Sequence, residues 1–597
     1  MTSYDYIIVG GGTAGLVLAA RLTEDSSKRV LVLEAGEDLT GDARLSVPAM
    51  WPTLLNTDAD WKFKTVPQTN TPASSWDLLL TEGLTQPGLN DRSIAFPQGK
   101  VLGGSSAING LSFTSSSKAN VDAWSRLGNP GWDWASFSQS LARSYTLTSP
   151  SADVTGSGPL QLSYPKDADN AWPGIWQQTL EGLGFPKSED TAKQACGPVF
   201  VPDTIHPASK TRSYAGNAYL EPARSRENLT VIPKAAVSRI LFDKDGDAVT
   251  ATGVEYTKDD DKTQTAAGKE IILTAGTINS PRLLELSGVG DAKRLEKLGI
   301  DVVVDNPNVG ENLQNHPLCG LSFEARDDEK TMDGLARQDP AALQAAMAAY
   351  SQQLGPFASS GTNNAAQLPF PGIQTAEGKA EVEHLISKYI ASADAGANAA
   401  FVEAQADFVR SILTSPDEAS GYYISFPGYA AFNPDGTMAP PPAGTGKHFS
   451  IALLLAHPLS RGSVHITSAT DVAIDPRYLS HPLDIEILAR HLGFVESIAG
   501  AQPLASHLKA VEQRNAAVDQ AKEYLRRTAV GAHHFTGTCS MMPEALGGVV
   551  DARLRVYGVS NLRVADASII PLTPRANPQA TVYGVAEHAA AIIKGEI

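Results

Sequence analysis

The stretch YDYIIVGGGTAGLVLAARLTEDSSKRVLVLEAGED, residues 4–38, constrains the fold more than any other part of the chain. Tyr6 to Val9 is a short β-branched run that reads as a buried strand. It turns through glycines into a helical pattern at Ala14, Leu16, Leu18, Ala19 and Leu22. A second β run, Val30 to Leu33, ends at Glu34 and completes a βαβ unit. Gly10, Gly12 and Gly15 have GxGxxG spacing: the first makes the tight turn, the second lets backbone approach a pyrophosphate, and the third lets helix and strand pack closely. The unpaired N–H groups at the helix start then face the phosphates. Glu34, 19 residues after Gly15, can accept from ribose hydroxyls and would repel a 2′-phosphate. The unit predicts a bound dinucleotide and leaves NAD and FAD open.

With 597 residues, 42% of them apolar, the chain is long enough to split into two or more domains. Its formal net charge of -17 opposes nucleic acid and anionic membrane, because phosphates would meet a negative field. No stretch reaches the roughly 18 continuous apolar residues of a membrane span. Small-molecule partners are expected, with no nucleic acid and no membrane. The segment MTSYDYIIVGGG lacks a basic n-region and a cleavage site, so a cytoplasmic location is expected. Cys196, Cys319 and Cys539 are widely spaced, without a CxxC pair, as expected of reduced thiols. The sequon at Asn228 is expected to stay bare.

Several stretches suggest other chemistries and do not carry them. Asp243, Asp245 and Asp247 alternate as in a calcium loop, but Ala248 and Val254 stand where an EF-hand needs glycine and glutamate; a hairpin turn is expected. His533, His534 and Cys539 have neither HxxxH nor CxxC spacing, and adjacent histidines point apart unless the chain bends strongly, so no metal is expected. GGSSAIN lacks the final glycine of a GxSxG nucleophile turn.

Further motifs follow in order: QGKVLGGSSAINGLSF (98–113), GTINSPRLLELSGVG (276–290), VGENLQNHP (309–317), HPLSRGSVHI (457–466), VVDARLRVYGVSNLRVADASIIP (549–571) and NPQATVYGVAEHAAAII (577–593). Together with the start of the chain, this series resembles the glucose-methanol-choline (GMC) oxidoreductases. The resemblance runs from residue 5 to about 593 and is closest to the choline and aryl-alcohol oxidase branch of fungal type. It implies FAD held along Gly10, Gly12, Thr13, Ala14, Gly15 and Glu34, with the flavin ring against Gly103, Gly104, Ser105, Ser106, Asn109 and Gly110. Val237 would meet the adenine end, and Asp566, Ala567 and Ser568 would open the final helix beside pyrophosphate and flavin. Ile108 stands where some members carry a histidine that bonds FAD covalently, so non-covalent FAD is implied. Gln98 and Asn315 depart from a common arginine and aspartate, and neither is expected to touch the chemistry.

The implied fold is α/β: a Rossmann-like FAD domain and a second α+β substrate domain, an antiparallel sheet capped by helices. Residues 1–317 form the N-terminal FAD-binding region, 318–455 the substrate and cap region, and 456–597 the C-terminal region. In the last, 456–534 is expected in the substrate sheet and 535–597 back in the FAD domain. Helical patterns within 325–450 are expected to cap the pocket, and the aromatic, β-rich run from Gly421 to be a sheet over the flavin.

The resemblance assigns the chemistry. Oxidising an alcohol requires removal of the hydroxyl proton as hydride leaves carbon for flavin N5, so a base belongs beside the ring. In the family the catalytic histidine precedes xxGT and meets a histidine or asparagine 43 or 44 residues on; His534 and Asn577 fit that pattern, as base and as hydrogen-bond partner for the alkoxide. His533, Phe426, Tyr429 and Phe432 are candidate pocket walls, while His316 and His588 are expected to be structural or exposed. The expected reaction is oxidation of a primary or aromatic alcohol, with O2 or a quinone-type acceptor, in an intracellular pathway such as secondary-metabolite tailoring. The alternative is a non-redox cyclase or lyase with FAD as scaffold. Oligomeric state stays open.

Overall fold

The computed structural model describes residues 3–68, 89–149, 154–165, 170–187, 196–246, 248–258, 262–390, 399–510, 515 and 517–597. Two sheets organise them. The first is built on Ser3–Val9, whose register runs parallel to Val30–Leu33 on one side and to Lys262–Leu273 on the other. Leu229–Ile232 extends it beyond Val30–Leu33, and the long hairpin Ala235–Asp245 with Ala248–Lys258 extends it beyond Lys262–Leu273. The parallel centre is covered on both faces, which is why Ile7, Ile8 and Val30 to Leu33 are continuously apolar rather than alternating. Leu562–Val564 adds a parallel strand to this sheet from the far end of the chain.

The turn after the first strand depends on two glycines. Gly10 has φ +105, and a Cβ on Gly15 would stand 2.0 Å from the Gly10 carbonyl oxygen, so helix Thr13–Leu22 can approach the strand only with glycine there. Helix Gln579–Lys594 packs on helix Thr13–Leu22, and the buried Glu587 accepts from Arg21 at 2.9 Å and from Tyr219 Oη at 2.8 Å.

The second sheet is antiparallel and six-stranded, in the order Val530–Gly531, Pro317–Ala325, Lys447–Leu455, Gly421–Phe426, Asn364–Leu368, Gly197–Phe200. The aromatic run from Gly421 is in this sheet as expected. Residues 456–534 are not: they form a separate hairpin, Ser463–Ile466 with Val472–Asp475, and helices Pro482–Ala499 and Val518–Thr528, and only Val530–Gly531 enters the sheet. The apolar spacing of Leu483, Ile487, Leu488, Leu492 and Val495 is that of a helix buried against the sheet. Of the helices between 325 and 450, Asp333–Ala336 and Pro340–Tyr350 reach the cavity described below. Ala376–Tyr389 and Ala399–Leu413 do not line it and cover the outer side instead.

Asp243 and Asp245 end one arm of the long hairpin, as a turn requires; Asp247 lies outside the described residues. The Asn228 amide donates to the carbonyls of Thr23, Asp25 and Lys28, which occupies the nitrogen that a glycan would need. All three cysteines are free thiols. Among the described residues no helix is long and apolar enough to cross a membrane, and no group of three or more His, Cys, Asp or Glu is placed to hold a metal ion.

Candidate active site

A cavity of about 1680 Å³ takes lining residues from both sheets. This exceeds the roughly 300–1,000 Å³ of a typical small-molecule pocket. One end is built from the βαβ unit: Gly10, Gly12, Thr13, Ala14, Glu34 and Val237 line it. Helix Thr13–Leu22 starts at Gly12 with no side-chain cap and no acid in its first turn, which leaves its first N–H groups for an anion. Glu34 accepts from Gly11 N at 2.8 Å and Gly36 N at 2.7 Å, one bond on each carboxylate oxygen, so both oxygens keep acceptor capacity. Burial pushes its carboxyl up to about 7, against those N–H groups. An uncapped phosphate-facing helix and a buried acid at the ribose position fit a dinucleotide.

Ser105, Ile108, Asn109 and Gly110 line the cavity beyond the helix start, and Asp566 and Ala567 face it from the C-terminal segment. Asn109 shapes this wall and offers little free polarity: its amide donates to Gln579 Oε1 at 2.5 Å and its Oδ1 accepts from Arg212 at 2.9 Å. Ile108 has no nucleophilic atom with which to bond a cofactor.

Gly15, Gly103 and Ser568 are absent from the lining. Gly15 is buried against Gly10 and Thr274, so its role is packing alone. Gly103 turns away, and a Cβ there would meet the Tyr214 ring at 2.5 Å. Asp566, Ala567 and Ser568 do not open the final helix. They form a short turn, Ala567–Ile569, capped by the Asp566 carboxylate, which accepts from Ser568 N, Gly276 N and Ser280 Oγ. The final helix starts at Gln579, with Asn577 and Pro578 at its entrance.

That entrance brings Asn577 to His534: Asn577 Nδ2 is 3.1 Å from His534 Nε2, and both residues line the cavity. With Asn577 donating, Nε2 is the acceptor and Nδ1 carries the proton, which points at His316 Nδ1, 2.7 Å away. Burial holds His534 well below the ordinary histidine value, and His316 and His533 lower it further. The imidazole is therefore neutral at pH 7, and its Nε2 lone pair, on the cavity side, is the one that receives the Asn577 N–H.

His316 is the functional residue that the sequence reading missed. It is fully buried, and burial lowers it to about 4. Nothing in NLQNHP links residue 316 to residue 534 by spacing; strand register does. Pro317 pairs with Gly531, Ala532 N donates to His316 O, and Gln314 and Thr536 exchange backbone bonds. Asn315 holds the backbone beside the pair: its Oδ1 accepts from His534 N at 2.9 Å, while its amide bonds Tyr478 Oη. Gln98 lines the cavity. His588 is structural, buried with Nδ1 2.9 Å from Ser140 Oγ.

His533 has φ +63, a left-handed backbone that is costly for a residue with a Cβ. This bend lets both neighbouring histidines reach the cavity wall. His533 Nδ1 is buried without a partner, and burial lowers the ring to about 4, opposed by Asp60. Phe426 and Phe432 line the cavity; Tyr429 does not, and its ring packs edge-on against His448 at 5.1 Å. Cys539 is buried behind the loop, its N–H donating to Ser568 O.

A dinucleotide-binding sheet, an antiparallel sheet and a His/Asn pair on the wall of their shared cavity define a flavin-dependent oxidoreductase. The N-terminal GMC oxidoreductase family model matches residues 4–318 and the C-terminal one residues 458–586. The chain is 32% identical to the dehydrogenase citC of Monascus ruber, over 99% of this chain and 96% of that protein. Among solved structures, an FAD-dependent oxidoreductase from Chaetomium thermophilum superposes with a TM-score of 0.85 at 28% identity, covering 100% of this chain and 99% of the other. A fungal aryl-alcohol oxidase gives 0.79 at 27%, covering 100% and 99%. This chain belongs to the GMC oxidoreductase family, and its cofactor is FAD.

Proposed function

We propose that the protein oxidises the CH–OH group of an alcohol to a carbonyl, with His534 as the base. The observation that carries this reading is the neutral, buried His534, held between Asn577 and His316 with Nε2 on the cavity side. FAD, when bound, supplies the hydride acceptor. His534 Nε2 takes the hydroxyl proton, and the resulting imidazolium keeps its Nδ1–H on His316, whose low basicity leaves it an acceptor. Asn577 donates to the developing alkoxide. Its Oδ1 is buried and unpartnered, and a rotation of the amide would present that atom to the new Nε2–H.

The test is anaerobic mixing of the FAD-loaded protein with a panel of primary and aryl alcohols while flavin absorbance is followed. Bleaching coupled to aldehyde formation is the expected result. Conversion of substrate with the absorbance unchanged would assign the site to the cyclase or lyase alternative. Reoxidation by O2, read as peroxide release, or by a quinone-type acceptor completes the proposed cycle.

A further inference from the structure

The cavity wall changes character along its length. Among the described residues, the Asp, Glu, Lys and Arg that line it are Glu34, Asp60, Lys62, Arg239, Arg282 and Asp566, and from Leu318 to Leu454, the stretch of the antiparallel sheet and the two capping helices, no described charged residue does. Asp60, the carboxylate felt by His533, is already engaged by the backbone N–H groups of Asn56, Lys62 and Gln98 at 2.9, 3.0 and 3.0 Å. Around Phe357, Ile424, Phe426, Phe432 and Leu454 an ion would lose its water and gain no partner, which costs several kcal/mol or more. Met347 and Met438 line the cavity yet stay 64% and 53% exposed, and flexible thioethers of this kind suit a bulky apolar guest.

Among the polar groups on this wall, which include Gln338, Tyr350, Thr437 and Ser450, three hydroxyls are linked to one another. Ser112, Ser360 and Thr362 all line the cavity, and their hydroxyls form a chain, Ser112 Oγ to Thr362 Oγ1 at 2.8 Å and Thr362 Oγ1 to Ser360 Oγ at 3.1 Å. Ser360 N is anchored on the buried Asp203 carboxylate at 3.0 Å, which fixes the loop that presents the chain. Ser360 Oγ also accepts from Thr362 N at 3.1 Å and lies 3.5 Å from Asn363 Oδ1, so the open end of the chain is Ser112 Oγ; with Ser360 donating to Thr362 and Thr362 to Ser112, the Ser112 hydroxyl is left to donate to one more oxygen.

We infer that the substrate of the alcohol oxidation proposed above is a bulky, uncharged, largely apolar alcohol carrying a second neutral oxygen, and that the Ser112–Thr362–Ser360 hydroxyls bind that oxygen. This inference rests on the proposed function for the word alcohol alone; the selectivity for neutral ligands is a property of the cavity.

The experiment therefore uses ligands that cannot be oxidised. FAD-loaded protein is titrated with 2-acetylnaphthalene, 2-ethylnaphthalene, 2-naphthoate and 2-naphthyltrimethylammonium, and binding is read from the perturbation of the flavin spectrum. The ketone should bind at least about 10-fold more tightly than either ion. Ser112→Ala, which removes the open-end hydroxyl, should weaken the ketone about 5-fold, the loss of one neutral hydrogen bond, and leave 2-ethylnaphthalene unchanged. The inference is overturned if either ion matches the ketone, if Ser112→Ala leaves the ketone unchanged, or if it weakens both neutral ligands equally. None of these outcomes depends on His534 acting as a base.

Discussion

Asn577 and His534, 43 residues apart in the chain, meet at 3.1 Å because the final helix begins beside the loop that follows the antiparallel sheet's last short strand. Asn577 donates to a neutral ring in the resting site and to an anionic oxygen as the alcohol reacts. A hydrogen bond to a charged group contributes about 1.5–3 kcal/mol. Asn577→Ala should therefore slow anaerobic flavin reduction by about 10- to 100-fold, with FAD content unchanged. Reduction at the native rate would remove Asn577 from the proposed machinery.

His316 acts through His534 and is a positioning residue. His316→Ala removes the acceptor for His534 Nδ1–H, so the ring loses its tautomer and its orientation. The expected result is a fall in the rate of flavin reduction of about 10-fold or more, with substrate affinity little altered. His316→Gln, which retains an acceptor, should recover part of that loss. The pH profile separates this from a packing role. In the native protein His534 is depressed, so the rate should be flat through pH 7 and fall only on the acid side, below the ordinary histidine value of 6.5. In His316→Ala, with the partner of the His534 Nδ1–H gone, the pH of that fall should change, whereas loss of a mere packing residue would leave it in place.

Buried neutral histidines also make the fold acid-sensitive. Burial lowers His316 and His533 to about 4, and His457 and His491 to about 3. Below pH 6.5 the unfolded chain binds protons that these folded sites refuse, so stability present above 6.5 is lost as pH falls towards 4 to 3. His465 runs the other way: although burial opposes it, Glu285 and Glu311 raise it, so it contributes stability that fades as pH rises. Glu34, raised to about 7, also gains stability on acidification, but with His588, lowered to about 4, the depressed histidines outnumber these two, and Tm should fall between pH 6.5 and 4. A flat Tm over that range would contradict the burial of these rings as neutral groups.

At Gly15 any side chain must displace the Gly10 carbonyl or the Thr274 hydroxyl. Gly15→Ala should open the phosphate-binding turn and yield protein depleted of FAD. The ratio of flavin to protein absorbance after purification checks this, and a fully loaded variant would show that the close approach is not needed.

Much of this site is legible in the sequence, and the boundary is physical. Local rules carry the βαβ unit, because strand, turn, helix and acid lie within 38 residues and each follows from short-range sterics. The His534 and Asn577 pair comes from the family pattern, and the geometry unites them. Local spacing is silent about His316 and Asn315, whose place beside His534 is set by the pairing of Pro317 with Gly531 across more than 200 residues. It also misplaces Gly103 and Tyr429, since a small residue near a glycine-rich turn and an aromatic near a pocket can each face either side of the backbone. The helical stretch from Pro482 lies in the region expected to belong to the substrate sheet, although its own 3.6-residue apolar period is legible in the sequence.

The most direct measurement is the rate of anaerobic flavin reduction by a turned-over alcohol in His534→Ala, compared with the native protein at equal FAD loading. The account predicts a fall of about 10²- to 10⁴-fold, the usual contribution of a general base, with partial recovery as pH is raised and the alcohol ionises unaided. Reduction at the native rate, with the same pH profile, would contradict it.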